Sequence, residues 1–265
     1  MERIQLMSKS SVLDQIIDGV IADVKAREVP ISQLTAKLSE APKLRDAKIA
    51  LSVAGTRLIA EVKRSSPSKG ALAEISDPAQ LAIQYQNGGA DVISVLTEQR
   101  RFKGHISDLL SVRSAIEIPV LRKDFIVTEF QVYESRLIGS DLILLIVAGL
   151  SNSQLKDYYQ LATELGMNVL VEVHDEDEAA KAIEINADII GVNSRNLKTL
   201  EVSDDNFELI FPHLPENVIK VAESGISTRE QVAAVEKLGA NAILVGETLV
   251  KSLNPVRSIK ELLNR

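Results

Sequence analysis

Cysteine is absent from this 265-residue chain, and no run of basic residues occurs in it. Without cysteine, the protein has no disulfide bonds, no thiolate ligands for a metal and no cysteine nucleophile. The formal net charge is −7, with charges of both signs mixed along the chain. Because nucleic-acid binding requires clustered lysine and arginine, the composition does not indicate a DNA or RNA partner. A small anionic ligand stays compatible with this charge, since a few lysines can gather locally in an acidic protein.

Long apolar segments are also missing. The longest apolar run, ILLIVAGL at 143–150, is too short to span a membrane, and the N-terminal segment MERIQLMSKSSVLDQ contains no signal-peptide core. We therefore expect a cytoplasmic protein with no membrane partner. The hydrophobic content of 45% is ordinary for a globular chain that buries a sizeable core.

The chain does contain short β-branched runs that alternate with longer amphipathic stretches. The stretches at 151–166 and 227–239 each begin at a capping serine and end at a glycine, as helices do. Strands and helices in alternation predict a parallel sheet with right-handed crossovers. The eight predicted strands are RLIAEV (57–62), DVISVL (91–96), PVLRKD (119–124), DLILLIVA (141–148), NVLVEV (168–173), DIIGVN (188–193), VIKVAE (218–223) and AILVGE (242–247).

Four similar triplets, GAD, GSD, NAD and GAN, recur at roughly fifty-residue intervals, and each separates a predicted helix from a predicted strand. Two strand–helix units per interval predict a closed (β/α)₈ TIM barrel. A doubly wound open sheet is the alternative, but no predicted strand is followed by its G-x-G-x-x-G fingerprint. Residues 1–55 have helical periodicity and are expected to form an N-terminal helical extension over the barrel. Since no linker composition divides them from the first strand, we expect residues 1–265 to form a single domain.

In such a barrel, the carboxyl ends of the strands form the active-site face, and alternate residues face the axis. Glu61 and Lys63 share the axis-facing parity, as do Lys123 and Glu172 on the third and fifth predicted strands. Each charge taken singly is equally well explained as a structural ion pair or a solvated side chain. Six strands that all end in polar groups, however, favour a functional site over a packed core. The other residues at these ends are Asn193, Arg195, Glu223, Ser224, Gly225, Gly246 and Glu247.

Two of these glycines indicate the kind of ligand. Gly225 and Gly246 follow the last two predicted strands, where barrels often hold a phosphate with backbone N–H groups. The SSPSKG loop at 65–70 could close over the same group, with Ser66 as a donor. The alternative is that both glycines only form turns. A phosphorylated substrate is the interpretation that we favour.

The titratable residues suggest acid–base chemistry without a metal. Two ammonium groups at one barrel mouth should lower each other's proton affinity while nearby carboxylates restore it, which predicts a lysine of near-neutral pKa that can act as an acid. His105, His174 and His213 lack the spacing of metal ligands and are predicted to lie in loops or at the surface. The acidic stretch DEDEAAK at 175–181 is explained by the dipole of a helix that begins there.

The order and spacing of seven segments are similar to those of one enzyme family. The segments are IAEVKRSSPSKG (59–70), VLRKDFIV (120–127), LLIVAGLS (144–151), LVEVHDEDE (170–178), GVNSRNL (191–197), AESGI (222–226) and LVGETL (244–249). On these residues the chain resembles the indole-3-glycerol phosphate synthases of tryptophan biosynthesis, over essentially its whole length and including the N-terminal extension.

The resemblance implies a carboxy-lyase (EC 4.1.1.48) that converts 1-(2-carboxyphenylamino)-1-deoxyribulose 5-phosphate into indole-3-glycerol phosphate, CO₂ and water. It implies Lys123 as the general acid on the carbonyl oxygen and Glu172 as the acid/base group of the dehydration. It implies a catalytic pair of Glu61 and Lys63, with Lys63 near the substrate carboxylate, and leaves open which lysine donates at which step. The remaining implied residues are Asn193 and Arg195 for the carboxylate and hydroxyl groups, Phe125 and Leu197 for the aromatic ring, and Ser66, Ser224, Gly225, Gly246 and Glu247 for the phosphate, with Asn193 and Ser224 counted as catalytic and Glu223 as substrate-binding.

Other interpretations stay open. A catalytically silent sugar-phosphate-binding barrel, or another phosphate-binding barrel enzyme, would share the fold. The preceding isomerase of the same pathway is understood to need a cysteine base, which this chain lacks. An open-sheet interaction protein would differ because its last strand would not pair with its first. We expect the phosphorylated anthranilate-derived substrate as the partner, no cofactor and no metal, and we leave open an association with other tryptophan-pathway enzymes.

Overall fold

The computed structural model describes residues 11–195, 201–203 and 205–265. Its first helices are α1 (Val12–Lys25), α2 (Ile31–Thr35) and α3 (Ala47–Ser52), with a 3₁₀ turn at Leu38–Glu40. Helix α1 begins with a reciprocal cap, in which the backbone N–H of Asp14 donates to the Ser11 hydroxyl and the backbone N–H of Ser11 donates to the Asp14 carboxylate. These bonds satisfy N–H groups that a first helical turn leaves unpaired, and so they set where α1 starts.

Eight parallel strands close into a barrel. They are β1 (Arg57–Val62), β4 (Val92–Leu96), β5 (Val120–Lys123), β6 (Leu142–Ile146), β7 (Asn168–Val173), β8 (Ile189–Asn193), β9 (Ile219–Glu223) and β10 (Ala242–Val245), and a two-stranded antiparallel hairpin of β2 (Ser65–Ser66) and β3 (Gly70–Ala71) follows β1. Ile59 of β1 lies opposite Val92 of β4, and Leu58 of β1 lies opposite Ile243 of β10. Because the last strand pairs with the first, the predicted (β/α)₈ barrel is confirmed and the open sheet is excluded.

Helices cover the outside of the barrel. They are α4 (Pro78–Gly88), α5 (Ile106–Ala115), α6 (Glu129–Leu137), α7 (Asn152–Glu164), α8 (Glu176–Glu184), α9 (Asp205–Ile210), α10 (Arg229–Lys237), α11 (Glu247–Val250) and α12 (Pro255–Leu263), with 3₁₀ turns at Val147–Gly149 and Phe211–His213. Ser151 and Thr228 cap α7 and α10 by accepting backbone N–H groups, and Asp175 caps α8 in the same way. The acidic stretch 175–181 therefore lies at a helix start, as predicted.

Most predicted strand boundaries agree with the structure to within one or two residues. The last predicted strand extends two residues too far, since β10 ends at Val245, and Gly246 and Glu247 lead into α11 instead. The SSPSKG segment, interpreted from sequence only as a loop, contains the β2–β3 hairpin.

Alternation along β1 places one carboxylate inside the barrel. Leu58, Ala60 and Val62 pack in the apolar layer between strands and helices, whereas Ile59 packs in the core inside the barrel. Glu61 shares the parity of Ile59 and is 2% exposed, so it faces the axis as predicted.

The helical extension reaches both ends of the barrel. Ala47 and Leu51 of α3 extend the inner core at the amino end, where the backbone N–H of Ala47 donates to Oδ1 of Asn168, the first residue of β7, at 2.8 Å. Leu13 and Ile16 of α1 belong to the same apolar cluster but line the opposite opening. The extension thus supplies part of the core as well as a wall of the opening where the strands end.

Within the described ranges, no helix is long and apolar enough to cross a membrane.

Candidate active site

A cavity of about 590 Å³ lies at the carboxyl ends of the barrel strands. Small-molecule sites in proteins typically enclose roughly 300–1,000 Å³, so this cavity has the size of one. Most of the predicted site residues meet here: Glu61, Lys63, Ser66, Lys123, Phe125, Glu172, Asn193, Arg195, Ser224, Gly225, Gly246 and Glu247 all line it. Leu197 lies outside the described residues. Glu223 joins the group through its ion pair with Lys123.

Lys123 is the centre of the charged cluster. Its Nζ lies 2.9 Å from Oε2 of Glu172 on β7 and 3.4 Å from Oε2 of Glu223 on β9. The side chains of both glutamates are almost fully buried, at 1% and 2% exposure. Three strands therefore bring one ammonium and two carboxylates together in a place where water screens little of their interaction.

A second ion pair lies beside the first. Lys63 and Glu61, which share a face of β1 and its continuation, form an ion pair. Gly246 makes room for it, because a Cβ atom at that position would lie 2.4 Å from Oε2 of Glu61 and 3.1 Å from Nζ of Lys63. Glycine at the end of the last strand is thus explained by the close approach of these charges.

Glu223 has an unusual environment. Its Oε1 is buried and has no hydrogen-bond partner among the described residues, and a Cβ atom at Gly191 on the neighbouring strand would lie 2.0 Å from it. An unpaired buried oxygen of this kind costs free energy unless the carboxyl is protonated or a ligand donates to it. The missing side chain at position 191 provides the space that this carboxyl group occupies.

The two buried glutamates have pKa values that are shifted in opposite directions. Burial alone would raise the pKa of Glu172, but the Lys123 ammonium and His174 outweigh burial and hold it well below its usual range. Burial, together with the carboxylates of Glu172 and Glu61, raises the pKa of Glu223 to about 8 in spite of Lys123. One carboxyl is therefore ionised and the other protonated near neutral pH, a division that suits acid–base chemistry.

The predicted near-neutral lysine is wrong for Lys123. Burial by itself would lower its pKa, but the carboxylates of Glu172, Glu223 and Glu61 outweigh burial and raise the pKa above its usual value. The prediction weighed the repulsion between two ammonium groups too heavily, because sequence parity could not show that Lys123 lies between carboxylates at contact distance. Lys123 is a cation in this arrangement, and a ligand that neutralises or displaces these carboxylates would lower its pKa.

Backbone geometry and small side chains characterise the other side of the cavity. Ser224 and Gly225 have φ angles of 68° and 74°, a left-handed turn that follows β9 directly. The Ser66 hydroxyl accepts the backbone N–H of Lys69 at 3.3 Å within the hairpin. Glu247 begins α11 and pairs with Lys251 at 2.7 Å. Lys69 and Lys251 also line the cavity, so cations lie beside the residues that were predicted to bind phosphate.

An apolar wall faces the charged cluster. The rings of Phe102 and Phe125 lie 6.1 Å apart between centroids, and Leu13 and Ile16 of α1 line the same cavity. Sequence reasoning had identified only Phe125 of these four. Phe102 is presented by a loop whose backbone N–H groups at positions 100–102 donate to the buried Glu98 carboxylate, and no strand-end pattern marks it.

All three histidines lie in loops or at the surface, as predicted, but the side chain of the one in the loop after β7 is largely buried. His105 occupies the position before α5 and is exposed, and His213 has a side chain that is 67% exposed. The side chain of His174 is only 9% exposed and contacts Glu172. A signal for it existed, because position 174 continues the axis-facing parity of Glu172 beyond the end of β7.

Comparison with known proteins identifies the family. The family model described as indole-3-glycerol phosphate synthase matches residues 13–262 of this chain. The chain belongs to the indole-3-glycerol phosphate synthase family. Among relatives, indole-3-glycerol phosphate synthase 1 of Streptomyces coelicolor is 51% identical over 254 residues, which cover 95% of this chain and 94% of that protein. Indole-3-glycerol phosphate synthase of Rhodococcus opacus is 53% identical, over 96% of this chain and 95% of that protein.

Solved structures of other enzymes share the fold of this family member. The 3-hexulose-6-phosphate synthase of Salmonella typhimurium matches 79% of this chain and 97% of its own, with a TM-score of 0.65 and 14% sequence identity. N-acetylmannosamine-6-phosphate 2-epimerase of Clostridium perfringens matches 81% of this chain and 95% of its own, with a TM-score of 0.60 and 16% identity. At these identities the likeness concerns the barrel alone.

No group of three or more histidine, aspartate or glutamate side chains arranged to hold a metal ion occurs in the part of the chain that the structure describes. The charged residues that line the cavity of this chain instead form ion pairs with one another.

Proposed function

We propose that this chain, as a carboxy-lyase of the indole-3-glycerol phosphate synthase family, catalyses the ring closure of 1-(2-carboxyphenylamino)-1-deoxyribulose 5-phosphate in tryptophan biosynthesis. The products are indole-3-glycerol phosphate, CO₂ and water. The observation that carries the proposal is the Lys123 ammonium, held 2.9 Å from Glu172 and 3.4 Å from Glu223 in a cavity of about 590 Å³. Family membership and the acid–base cluster support the same chemistry.

In the first step, the aromatic carbon that bears the carboxylate attacks the ketone carbon. Negative charge develops on the ketone oxygen, and we assign the Lys123 ammonium to donate a proton to it. The C–C bond to the carboxylate then breaks, CO₂ leaves and the ring regains its aromatic electrons. Lys63, close to the mouth and paired with Glu61, supplies a cation for the substrate carboxylate before it is lost.

The dehydration needs a leaving hydroxyl and an accepted proton. Of the two buried glutamates, Glu172 is the one that is ionised near neutral pH, because its cationic neighbours lower its pKa, and it is therefore assigned to accept the proton. Glu223, with its raised pKa, is suited to donate a hydrogen bond to a substrate oxygen. Asn193, whose Oδ1 accepts the backbone N–H of Arg195 at 3.0 Å, is held at the end of β8, where it and Arg195 are assigned to substrate oxygens.

The two ends of the substrate fit two sides of the cavity. The aromatic ring is assigned to the apolar wall, with Phe125 and the newly found Phe102 as its aromatic members. The phosphate is assigned to the opposite side, which is lined by Ser66, Ser224, Gly225, Gly246 and Glu247, with Lys69 and Lys251 nearby. Glu247 is assigned there through its backbone, since its carboxylate already pairs with Lys251. Association with other enzymes of the tryptophan pathway stays a prediction.

The test is to mix the purified chain with the carboxyphenylamino deoxyribulose phosphate and follow indole fluorescence. Turnover with release of one CO₂ per indole formed is the expected result. Saturable binding of the substrate without any indole signal would instead assign the chain to the silent sugar-phosphate-binding barrels. The matched control is Leu209→Ala, because Leu209 is a half-exposed residue of α9 that does not line the cavity, and its rate should equal that of the unmodified chain.

A further inference from the structure

His174 is a buried titratable residue that the proposed reaction does not use. It follows the last residue of β7, and its imidazole Nδ1 lies 2.9 Å from Oε2 of Glu178 on α8. The backbone N–H of His174 donates to the same oxygen at 2.8 Å. Glu178 therefore holds both the main chain and the ring of His174, which restricts how the ring can turn.

The other ring nitrogen faces the catalytic cluster. Nε2 of His174 lies 3.3 Å from Oε1 of Glu172, whose Oε2 lies 2.9 Å from Nζ of Lys123. Each oxygen of Glu172 thus has its own cationic neighbour, one from the end of β7 and one from β5. Lys123 holds Oε2 by a hydrogen bond and the His174 ring attracts Oε1 by charge alone, so the two cations together favour one orientation of the carboxylate.

The ring is also held in one charge state. Burial alone would lower the pKa of His174, but the carboxylates of Glu172 and Glu178 outweigh burial and raise it to about 10. At neutral pH both ring nitrogens therefore carry hydrogen, so neither can accept a proton from the substrate. This protonation excludes a general-base role for His174 and leaves that of a fixed cation behind the base.

We propose that His174, clamped by Glu178, is a positioning residue that fixes the Glu172 carboxylate against the Lys123 ammonium. The proposal rests on the proposed function, because it assigns Glu172 as the base of the dehydration. It adds a residue that does not line the cavity and acts on the reaction only through Glu172. In physical terms, His174 keeps Glu172 ionised and correctly aimed in a site where burial would otherwise favour the protonated form.

The neighbouring elements define which groups can influence a pH profile. Glu172 of β7 and Glu178 of α8 are within ion-pair distance of the ring, and Lys123 and Glu223 lie beyond Glu172. From α9, Asn206 contributes an uncharged amide, which donates to the backbone oxygen of His174 at 3.2 Å. Of the charged groups, Glu172 is the one whose pKa His174 should affect most.

The decisive variant is His174→Asn, whose amide can replace Nδ1 beside Glu178 but cannot reach Glu172 as Nε2 does, and which removes the charge. We expect kcat to fall by about tenfold with KM nearly unchanged, because substrate contacts stay in place. We also expect the acid limb of the kcat–pH profile to move up by about one pH unit, since an opposite charge within contact distance lowers a carboxyl pKa by at least that amount. A residue that merely supports the fold would not move this limb.

His213→Asn is the matched control. His213 is also paired with a glutamate, Glu176 at 3.5 Å, but its side chain is 67% exposed and remote from the cluster. Its kcat and acid limb should equal those of the unmodified chain. Binding of a substrate analogue in which the ketone is reduced to an alcohol, measured by calorimetry, should be the same for all three proteins.

Glu178→Gln is the second variant, and it decides the question if His174→Asn does not fold. It keeps His174 but removes the anchoring charge, so it should lower kcat and raise the acid limb by smaller amounts in the same direction. An unchanged acid limb in the variants that fold would overturn the positioning role. That result is distinguishable from failure of the proposed function, in which the unmodified chain itself would form no indole.

Discussion

Two neighbouring residues of β5, Arg122 and Lys123, are cations with opposite surroundings. Arg122 points away from the axis into the layer between strands and helices, and it is 0% exposed. Lys123 points to the axis and lines the cavity. One position along a strand therefore separates a cation built into the scaffold from a cation available to a ligand.

The guanidinium of Arg122 has a full set of hydrogen-bond partners. Its guanidinium donates to hydroxyl, carbonyl and carboxylate oxygens on three sides, and one of its partners, Glu134, also pairs with Arg27 just beyond α1. The partners of Arg122 are Thr97, Asp124, Gln131, Glu134 and Ser135. Because these donors and acceptors are matched, this network can hold the helical extension to the barrel and has no need of a ligand.

Around Lys123, by comparison, some buried polar groups lack hydrogen-bond partners within the ranges that the structure describes. A buried oxygen of Glu223 has no hydrogen-bond partner among the described residues, and the cavity lies next to Lys123 and Glu61. An arrangement of this kind is unfavourable in the free protein and becomes favourable when a substrate supplies the missing donors or charges. In the described part of the chain, the buried polar groups around Arg122 all have hydrogen-bond partners, whereas some of those around Lys123 do not. This difference distinguishes the structural cluster from the candidate site.

The largest expected effect comes from Lys123→Met, which keeps the apolar stem of the side chain and removes its charged, proton-donating end. We expect kcat to fall by about 10²–10⁴-fold, the range that general acids contribute, while the ketone-reduced substrate analogue still binds. Fluorescence assay and calorimetry measure the two quantities. A kcat within tenfold of the unmodified chain would remove Lys123 from its assigned role.

The second expected effect is a loss of stability, and it tests the structural role of Arg122. Arg122→Met should lower the free energy of unfolding by about 3–5 kcal/mol, because it leaves the buried Asp124 carboxylate without its cationic partner and removes one of the two arginines that pair with Glu134. The kcat of the protein that stays folded should change by less than tenfold. Urea unfolding and assays at low temperature measure both. Loss of activity without loss of stability would show that the two clusters are not separate.

A third test uses the dependence of stability on pH. The pKa of Glu223 rises from 4.5 to about 8 on folding, so across this window the native carboxyl keeps a proton that the unfolded chain has lost. Stability from this group is therefore fully present below pH 4.5 and is lost as pH rises toward 8. The glutamine side chain of the Glu223→Gln variant cannot titrate. As pH rises from 5 to 8, the urea midpoint of unfolding of the variant should therefore increase relative to that of the unmodified chain. Parallel curves would contradict the raised pKa.

The smallest effect concerns space rather than charge. Gly191→Ala would place a Cβ atom 2.0 Å from Oε1 of Glu223, so the carboxyl must shift, and we expect kcat to fall by about tenfold. The control is Gly19→Ala in α1, whose new Cβ would contact only the flexible, half-exposed side chain of Arg100. Equal rates for the two variants would show that room for Glu223 is unimportant.

Local pattern was sufficient for the barrel and for part of the site. Strand runs, helix caps and the repeated triplets predicted the closed sheet, and parity along a strand predicted that Glu61 and Lys123 face the axis. These features depend on residues that are near in sequence, and a period of two or 3.6 is visible there directly. The family segments could likewise be recognised before any coordinates were known.

Tertiary structure alone decided the charge states and the less obvious members of the site. Lys123 and Glu223 are 100 positions apart, and only closure of the barrel brings their atoms to 3.4 Å. The raised pKa of His174, the lowered pKa of Glu172 and the wall formed by Phe102 all depend on burial and distance between elements. Sequence alone determined which groups each strand end carries, whereas the folded distances and the exclusion of water determined what those groups can do.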